Sequence, residues 1–280
     1  MRLEPGRFAV IGDPISHSAS PRLFAALGRA LGTALDYGAI RVTEAELPSF
    51  LQEARAGAYR GLSVTSPHKE SVLELVESVT EVARRVGAAN TIAVLPGKKL
   101  EAHSTDGVGL VHALGEHGVT LAGGSVMVLG AGGAARAAVQ ASLAAGARTV
   151  HVANRTPARA EALASALGAR AVELDRASLQ PLLDAATVLI QATSAELSRP
   201  GETPLPAGCV LHPELTVLDM VYQPRETTLL RAAREAGART VDGLWMLVHQ
   251  GLEQFQCWTG TAVPAGIARR LHGELARGQA

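Results

Sequence analysis

Apolar positions along the chain fall into two alternating rhythms. Phe8–Gly12 (FAVIG), Leu35–Val42 (LDYGAIRV) and Tyr59–Thr65 (YRGLSVT) are short, β-branched or aliphatic runs and predict strands. Between them, Pro21–Leu31 (PRLFAALGRAL) and Glu44–Gly57 (EAELPSFLQEARAG) repeat their apolar residues at helical spacing. Thr91–Val94 and Lys99–His103 flank Leu95-Pro96-Gly97-Lys98-Lys99, a turn composition, and predict a hairpin. The alternation resumes downstream: a helix ending at Leu167, strands at Thr187–Thr193 and Thr216–Met220, a helix near Thr227–Ala236 and a short strand at Arg239–Val241. Leu244–Trp258 and Gly266–Leu275 predict two closing helices that add no strand and fold back to link two domains. Ser198–Gly208, rich in Pro and Gly, predicts a surface loop. The pattern is that of an α/β protein in two domains.

One stretch is more specific. The apolar run Val126–Leu129 stops at Gly130-Ala131-Gly132-Gly133-Ala134-Ala135, a helical pattern follows, and a second apolar run ends in Asn154-Arg155-Thr156. Strand, G-x-G-x-x-A turn, helix and strand within about thirty residues form the dinucleotide-binding βαβ unit. Gly130 permits the tight turn, Gly132 lets backbone approach a pyrophosphate, and Ala135 seats the helix near the strand with its N-terminus toward the phosphates. At the tip of the second strand, where a carboxylate would bind an NAD ribose, the chain has Arg155. A guanidinium there reads a 2′-phosphate, so the expected cofactor is NADP.

Composition narrows the partners. In 280 residues, 47% are hydrophobic but only 3% aromatic, so aliphatic packing must build the core. Lys plus Arg and Asp plus Glu balance at 26 each, without a basic block, which argues against nucleic acid or an anionic membrane as partner. Cys209 and Cys257 are too few and too distant in sequence for a disulfide framework or a zinc site, and no metal is expected. Glu4 and Pro5 stand where a signal peptide would need an apolar core, and glycines interrupt the longest uncharged stretch, Val119–Ala135. A cytoplasmic protein, monomer or homodimer, acting on a small molecule is the expectation.

Several further segments carry a resemblance. Gly12-Asp13-Pro14-Ile15-Ser16-His17-Ser18-Ala19-Ser20-Pro21 resembles the G-x-P-I-x-H-S-x-S-P signature of shikimate dehydrogenases, and Gly61–Lys69 (GLSVTSPHK) their N-V-T-x-P-x-K segment. Gly87-Ala88-Ala89-Asn90-Thr91 and Ser104-Thr105-Asp106-Gly107 are similar to the family's G-A-x-N-T and N-T-D-G. Asp219–Pro224, and Gly243 with Met246, Leu247 and Gln250, match later blocks in the same order. The resemblance implies NADPH-dependent reduction of 3-dehydroshikimate to shikimate in aromatic biosynthesis. Residues 1–105 would be a substrate-binding and catalytic domain, 106–242 a Rossmann-type NADP domain, and 243–280 helices packing back on the first. Lys69 and Asp106 would be the catalytic pair. Ser18 and Ser20 would hold the substrate carboxylate, Ser63, Thr65, Asn90 and Gln250 would meet ring hydroxyls, and Tyr222 would lie near the carboxylate. Gly130, Ala131, Gly132, Gly133, Ala134, Asn154, Arg155, Thr156, Thr193, Gly243 and Met246 would line the cofactor. Departures are Ser63 for the family's usual Asn, Ser104 for the Asn of N-T-D, Phe24-Ala25 for a common His-Asn, and Gln191–Glu196 (QATSAE) for N-A-T-S-x-G. A serine at 63, shorter than asparagine, leaves room near the ring hydroxyls.

Ketone reduction explains these residue types. Lys69 offers a cation that can stabilise the growing alkoxide and donate its proton. Asp106 can pin that ammonium and accept a substrate hydroxyl. Taken without the family, a lone lysine after the Pro67-His68 pair is a solvated residue, and an aspartate before Gly107 and an apolar run is a helix N-cap. Ser18 and Ser20 can each cap the following helix, Ser20-Pro21 having the form of an N-cap followed by N1, and capping is compatible with carboxylate binding at that helix end. His17 invites an acid or metal role, but no second ligand lies at zinc spacing, so a structural histidine bonding its own loop is favoured. Met246 sits at helical spacing with Leu244 and Val248, ordinarily a core pattern.

Overall fold

A computed structural model describes residues 7–278. The opening segment, on which the signal-peptide reading rests, lies outside the described residues. The chain divides into two compact units, residues 1–105 with 248–280, and residues 106–247. Each is an α/β unit built on its own six-stranded sheet.

The first unit begins with β1 (Arg7–Gly12), α1 (Ser20–Leu31), β2 (Asp36–Arg41), α2 (Leu47–Glu53) and β3 (Gly61–Val64). It continues through β4 (Ser78–Val79), α3 (Glu81–Val86), β5 (Thr91–Val94) and β6 (Leu100–His103). Strand order is β2-β1-β3-β5-β6-β4, with β1 parallel to both neighbours and β5 antiparallel to both β3 and β6. Every residue of β3 is buried, which is why its run shows no alternation. The core joins Ile11, Leu62, Ile92 and Leu100 of the sheet to Leu47, Leu51 and Ala54 of the α2 segment. The helix predicted over Glu44–Gly57 is shorter: α2 begins beside Pro48, passes into a wide turn at Ala54–Ala58, and Gly57 ends it at φ +97°.

The second unit holds α4 (Asp106–Gly115), β7 (Ser125–Leu129), α5 (Gly133–Ala144), β8 (Thr149–Ala153), α6 (Pro157–Leu167), β9 (Arg170–Val172) and α7 (Arg176–Asp184). β10 (Val188–Gln191), α8 (Ala195–Ser198), β11 (Thr216–Asp219), α9 (Thr228–Glu235), β12 (Arg239–Val241) and the start of α10 (Gly243–Thr259) follow. All strands are parallel in the order β9-β8-β7-β10-β11-β12, which counted within the unit is 3-2-1-4-5-6, the doubly wound dinucleotide-binding order. Buried side chains cover both faces: Val126, Val128, Val150 and Ile190 with α4 and α5 on one, Met127, Leu189, Val217 and Leu179 with α7 and α9 on the other.

The unit boundary falls inside α10, so residues 243–247 group with the second unit and only residues 248–280 with the first. There the rest of α10 and α11 (Ile267–Arg277) complete the first unit. Trp258 stacks on Phe8, donates its indole N–H to the Ile92 carbonyl at 2.9 Å, and lies directly on Gly61, where any Cβ would overlap its ring. Gly251 makes room in the same way for Leu23.

Candidate functional site

The first unit gathers one set of the predicted residues at the C-terminal end of β3 and the facing end of β5. The Asn90 carbonyl accepts the Val64 N–H at 2.7 Å, and Asn90 Oδ1 accepts the Thr105 N–H at 2.8 Å. Asn90 Nδ2 donates to Thr105 Oγ1 at 2.9 Å and to Gln250 Oε1 at 3.1 Å. Thr105 Oγ1 also lies 3.1 Å from the Gln250 carbonyl. Asn90, Thr105 and Gln250 are thus one buried hydrogen-bonded group that ties β5, the segment after β6 and α10 together.

Ser63, at 4% exposure, belongs to a chain of side chains of which it was the only predicted member. The Tyr37 hydroxyl donates to Ser63 Oγ at 2.6 Å, Ser63 donates to Gln254 Oε1 at 2.7 Å, and Gln254 Nε2 donates to the Asn90 carbonyl at 3.0 Å. Tyr37 and Gln254 are thus the hydrogen-bond partners of this short side chain. Thr65 follows β3, its N–H bonded to the Ile11 carbonyl at 3.0 Å. Lys69 is half-buried, and its carbonyl accepts the Ala89 N–H at 2.7 Å. Its neighbour His68 is fully buried, with Nε2 2.6 Å from the Val42 carbonyl, which anchors the loop under Lys69.

Two readings of the first loop are corrected. Ser20 is not the cap of α1 but its first residue; Ala19 occupies the cap position without a side-chain bond, and Pro21 follows within the first turn. Ser18 Oγ accepts the Ser20 N–H instead, at 3.3 Å, because the loop places that hydroxyl just ahead of the helix. His17 is exposed and, among the described residues, makes no hydrogen bond to its loop, unlike the structural role expected for it. The loop is held by the Ser18 N–H on the Ile15 carbonyl and by the Arg41–Asp13 ion pair at 2.7 Å. The Arg41 guanidinium holds the Asp13 carboxyl below its ordinary range.

In the second unit, Gly130 follows β7 at φ +118°, and its N–H reaches the Ala153 carbonyl at 2.8 Å. A Cβ on Gly130 would stand 2.9 Å from the Ala192 carbonyl oxygen, so the turn closes tightly on the loop after β10. Gly132 caps α5 in extended conformation without a side-chain bond, and a Cβ there would meet nothing within 4 Å. Ala131, Gly133 and Ala134 complete this turn, and the first N–H groups of α5 are left for an outside acceptor. Ala135 is fully buried, as close helix–sheet packing requires. β7 and β10 flank the point where strand order reverses, the place where such sheets bind nucleotides.

Arg155, at the tip of β8, is exposed and has no hydrogen bond or ion pair within the described residues. Asn154 Nδ2 donates to the Thr156 carbonyl at 3.0 Å, shaping the turn that presents it. After β10, fully buried Gln191 grips Thr193 twice, accepting its N–H at 2.7 Å and donating to its carbonyl at 2.9 Å. Asp106, 5% exposed, is the first residue of α4 rather than a residue ahead of it, and Gly107 behind it packs on Ala137 and Ala141. Gly243 opens α10 against the backbone of Met220 and Val221, where a Cβ would stand 2.6 Å from three main-chain atoms. Met246 is 6% exposed within the core. Tyr222, half-buried, follows this same contact segment.

Asp219, given no role by the motifs, organises that segment. Fully buried at the end of β11, it accepts the Val221 N–H at 2.9 Å and the Thr227 hydroxyl at 2.7 Å. Burial dominates over these bonds, with nearby Glu196 assisting, and lifts its carboxyl from 3.8 to about 6. A raised folded-state pKa stabilises the protein fully below about pH 4 and ceases to do so as pH rises through about 6, worth about 3 kcal/mol. Urea unfolding at pH 4 and pH 7 should therefore show wild type losing about 3 kcal/mol relative to Asp219→Asn. A gap that does not move between the two pH values refutes the assignment.

Among the described residues no group of His, Cys, Asp and Glu is arranged to hold a metal, and no helix is long and apolar enough to cross a membrane. Comparison with known proteins covers nearly the whole chain. The shikimate dehydrogenase substrate binding domain matches residues 10–92, shikimate / quinate 5-dehydrogenase residues 113–209, and the shikimate 5′-dehydrogenase C-terminal domain residues 243–271. The chain is 42% identical over 263 residues to a shikimate dehydrogenase (NADP(+)) of Thermococcus kodakarensis, covering 94% of each. It is similar to the crystal structure of a Thermus thermophilus shikimate 5-dehydrogenase in complex with NADP(H) and shikimate, with TM-score 0.87, 38% identity, and coverage of 96% of this chain and 99% of that one. A quinate dehydrogenase of Corynebacterium glutamicum in complex with NAD gives TM-score 0.83 at 30% identity, over 96% and 98%.

Proposed function

This chain belongs to the shikimate dehydrogenase family, and from that premise we propose that it reduces 3-dehydroshikimate to shikimate with NADPH, reversibly, in the cytoplasm. The observation that carries the proposal is that one chain holds both halves the reaction needs. A buried polar group around Asn90 and Gln250 suits a polyhydroxy ring, and a Gly130 turn with an Arg155 that is exposed and unpaired among the described residues suits a 2′-phosphorylated dinucleotide.

NADPH supplies the hydride. Ser18 and Ser20 hold the substrate carboxylate, with Tyr222 nearby, and Thr65, Asn90 and Gln250 fix the ring through its hydroxyls. Fixed donors remove the orientational freedom that a free ketone would have to lose at the transition state. Lys69 donates a hydrogen bond to the carbonyl oxygen and transfers its proton as that oxygen gains charge. Asp106, the other member of the catalytic pair, accepts a substrate hydroxyl. With the cofactor bound, the N–H groups of Gly133 and Ala134 would serve the pyrophosphate, Asn154, Arg155 and Thr156 would hold the adenosine phosphate, and Thr193, Gly243 and Met246 would line the nicotinamide side.

A second reading, oxidation of quinate, draws support from the likeness to a quinate dehydrogenase. Serine at 20 favours shikimate, since a threonine there resembles quinate-accepting members. Spectrophotometric assay of NADP and NAD, each against shikimate and quinate, tests both. Shikimate with NADP should be preferred, and quinate equal or better overturns the substrate assignment. Within that assay Arg155→Ala should weaken NADP about ten- to a hundredfold and leave NAD nearly unchanged, the loss of one charge-assisted phosphate contact. Equal losses for both cofactors would make Arg155 structural.

A further inference from the structure

The Tyr37–Ser63–Gln254 chain fixes where its protons lie. The Asn90 backbone carbonyl can only accept, so Gln254 must turn its Nε2 toward it, at 3.0 Å. That leaves Gln254 Oε1, an acceptor, facing Ser63 Oγ at 2.7 Å, and the single Ser63 proton must go there. Ser63 therefore has no proton for Tyr37, and the Tyr37 hydroxyl donates to it at 2.6 Å. One Ser63 lone pair remains. An asparagine at 63 would offer both a donor and an acceptor; this serine, locked by its neighbours, offers an acceptor alone.

We propose that Gln254, acting through Ser63, is a specificity-determining positioning residue of the substrate half-site: it makes position 63 accept a hydrogen bond from a substrate ring hydroxyl and unable to give one. The proposal rests on the reading of the substrate as a polyhydroxy cyclic acid. Gln254 and Gln250 stand four residues apart on α10, on one helix face, so both of their amides reach Asn90, Gln250 its side chain and Gln254 its carbonyl. At 1% exposure Gln254 acts without touching the ring. The arrangement selects a substrate bearing a free hydroxyl at that position and disfavours one bearing a keto or ether oxygen, which would set two acceptors against each other.

The test is steady-state kinetics with NADP on shikimate and on analogues lacking each of its two non-reacting ring hydroxyls. Gln254→Met keeps length and volume but frees the Ser63 proton. It should raise KM for shikimate about tenfold with kcat within about threefold. With the analogue lacking the hydroxyl that Ser63 accepts, the loss in kcat/KM should shrink below about twofold, while the other analogue shows the full loss. Ser63→Ala, which removes one oxygen, carries the same expectation and stands in should Gln254→Met fail to fold. A loss equal across all three substrates, or one confined to kcat, makes Gln254 merely structural and overturns the proposal. Wild-type enzyme that does not oxidise shikimate with NADP overturns the functional reading itself, and this inference with it.

Discussion

Lys69→Ala should lower kcat by about 10²–10⁴ while changing KM for shikimate only a few-fold, because in the proposed mechanism the group removed acts on charge that develops during the reaction. The lysine is held where such a role requires rigidity. Its main chain is bonded to Ala89, and the side chain before it, His68, is sealed in the core against Val42. A positioned ammonium of this kind stabilises the transition state more than the bound ketone, so its loss appears in turnover. A solvated surface lysine would instead be dispensable. Single-turnover and steady-state measurements on the variant decide between these, and more than half of wild-type kcat retained would sink the catalytic role. Arginine should not restore the rate, since a guanidinium does not release its proton.

Gly130→Ala should lower the melting temperature by about 5–15 °C, the consequence of about 2–5 kcal/mol lost in the second unit. Two penalties act together. The backbone at φ +118° is one that an L side chain rarely adopts, and the new methyl would press on the Ala192 carbonyl oxygen at 2.9 Å and on Thr193 at 3.2 Å. Relaxation is blocked on the other side, where the Gly130 N–H is bonded to Ala153. Gly132→Ala is the control: at φ −92°, with open space around the new methyl, it should leave melting unchanged and weaken NADP binding where the backbone must approach the pyrophosphate. Calorimetry on both variants, with NADP titration of each, gives the comparison. A Gly130→Ala transition within about 1 °C of wild type would show that the turn relaxes freely.

Fully buried parallel strands such as Val126–Leu129 and Val188–Gln191 were legible because an unbroken apolar run bounded by Gly or a polar residue has few other uses. β9 and α7 were not. Arg170–Val172 is short and mostly exposed, and α7, although Leu179 and Leu183 keep helical spacing, carries Pro181 in its interior, which reads as a break. At α1 the sequence leaves the frame open: Ser20-Pro21 fits N-cap and N1 as well as N1 and N2, and the structure puts Ala19 at the cap, with Ser18 Oγ accepting the Ser20 N–H. At the site, motif residues could be placed by number, but their partners could not. Tyr37 reads as one strand residue among several and Gln254 as one polar position on a long helix; that they meet at Ser63 depends on pairing between β1, β2 and β3. A signal for Gln254 did exist, in its four-residue spacing from Gln250.

The division of the chain has a consequence for synthesis. Residues 106–247 are contiguous, so that unit has all its strands before residues 248–278 leave the ribosome. The unit that starts first finishes last. Its sheet is complete once His103 is made, yet Phe8, Gly61 and Ile92 wait for Trp258 to cover them. Contacts spanning most of the sequence close slowly, and until they close an apolar face stays open to wrong partners. Vectorial folding here therefore runs from the middle outward, and emergence of the segment after residue 247 is the step that completes the first unit.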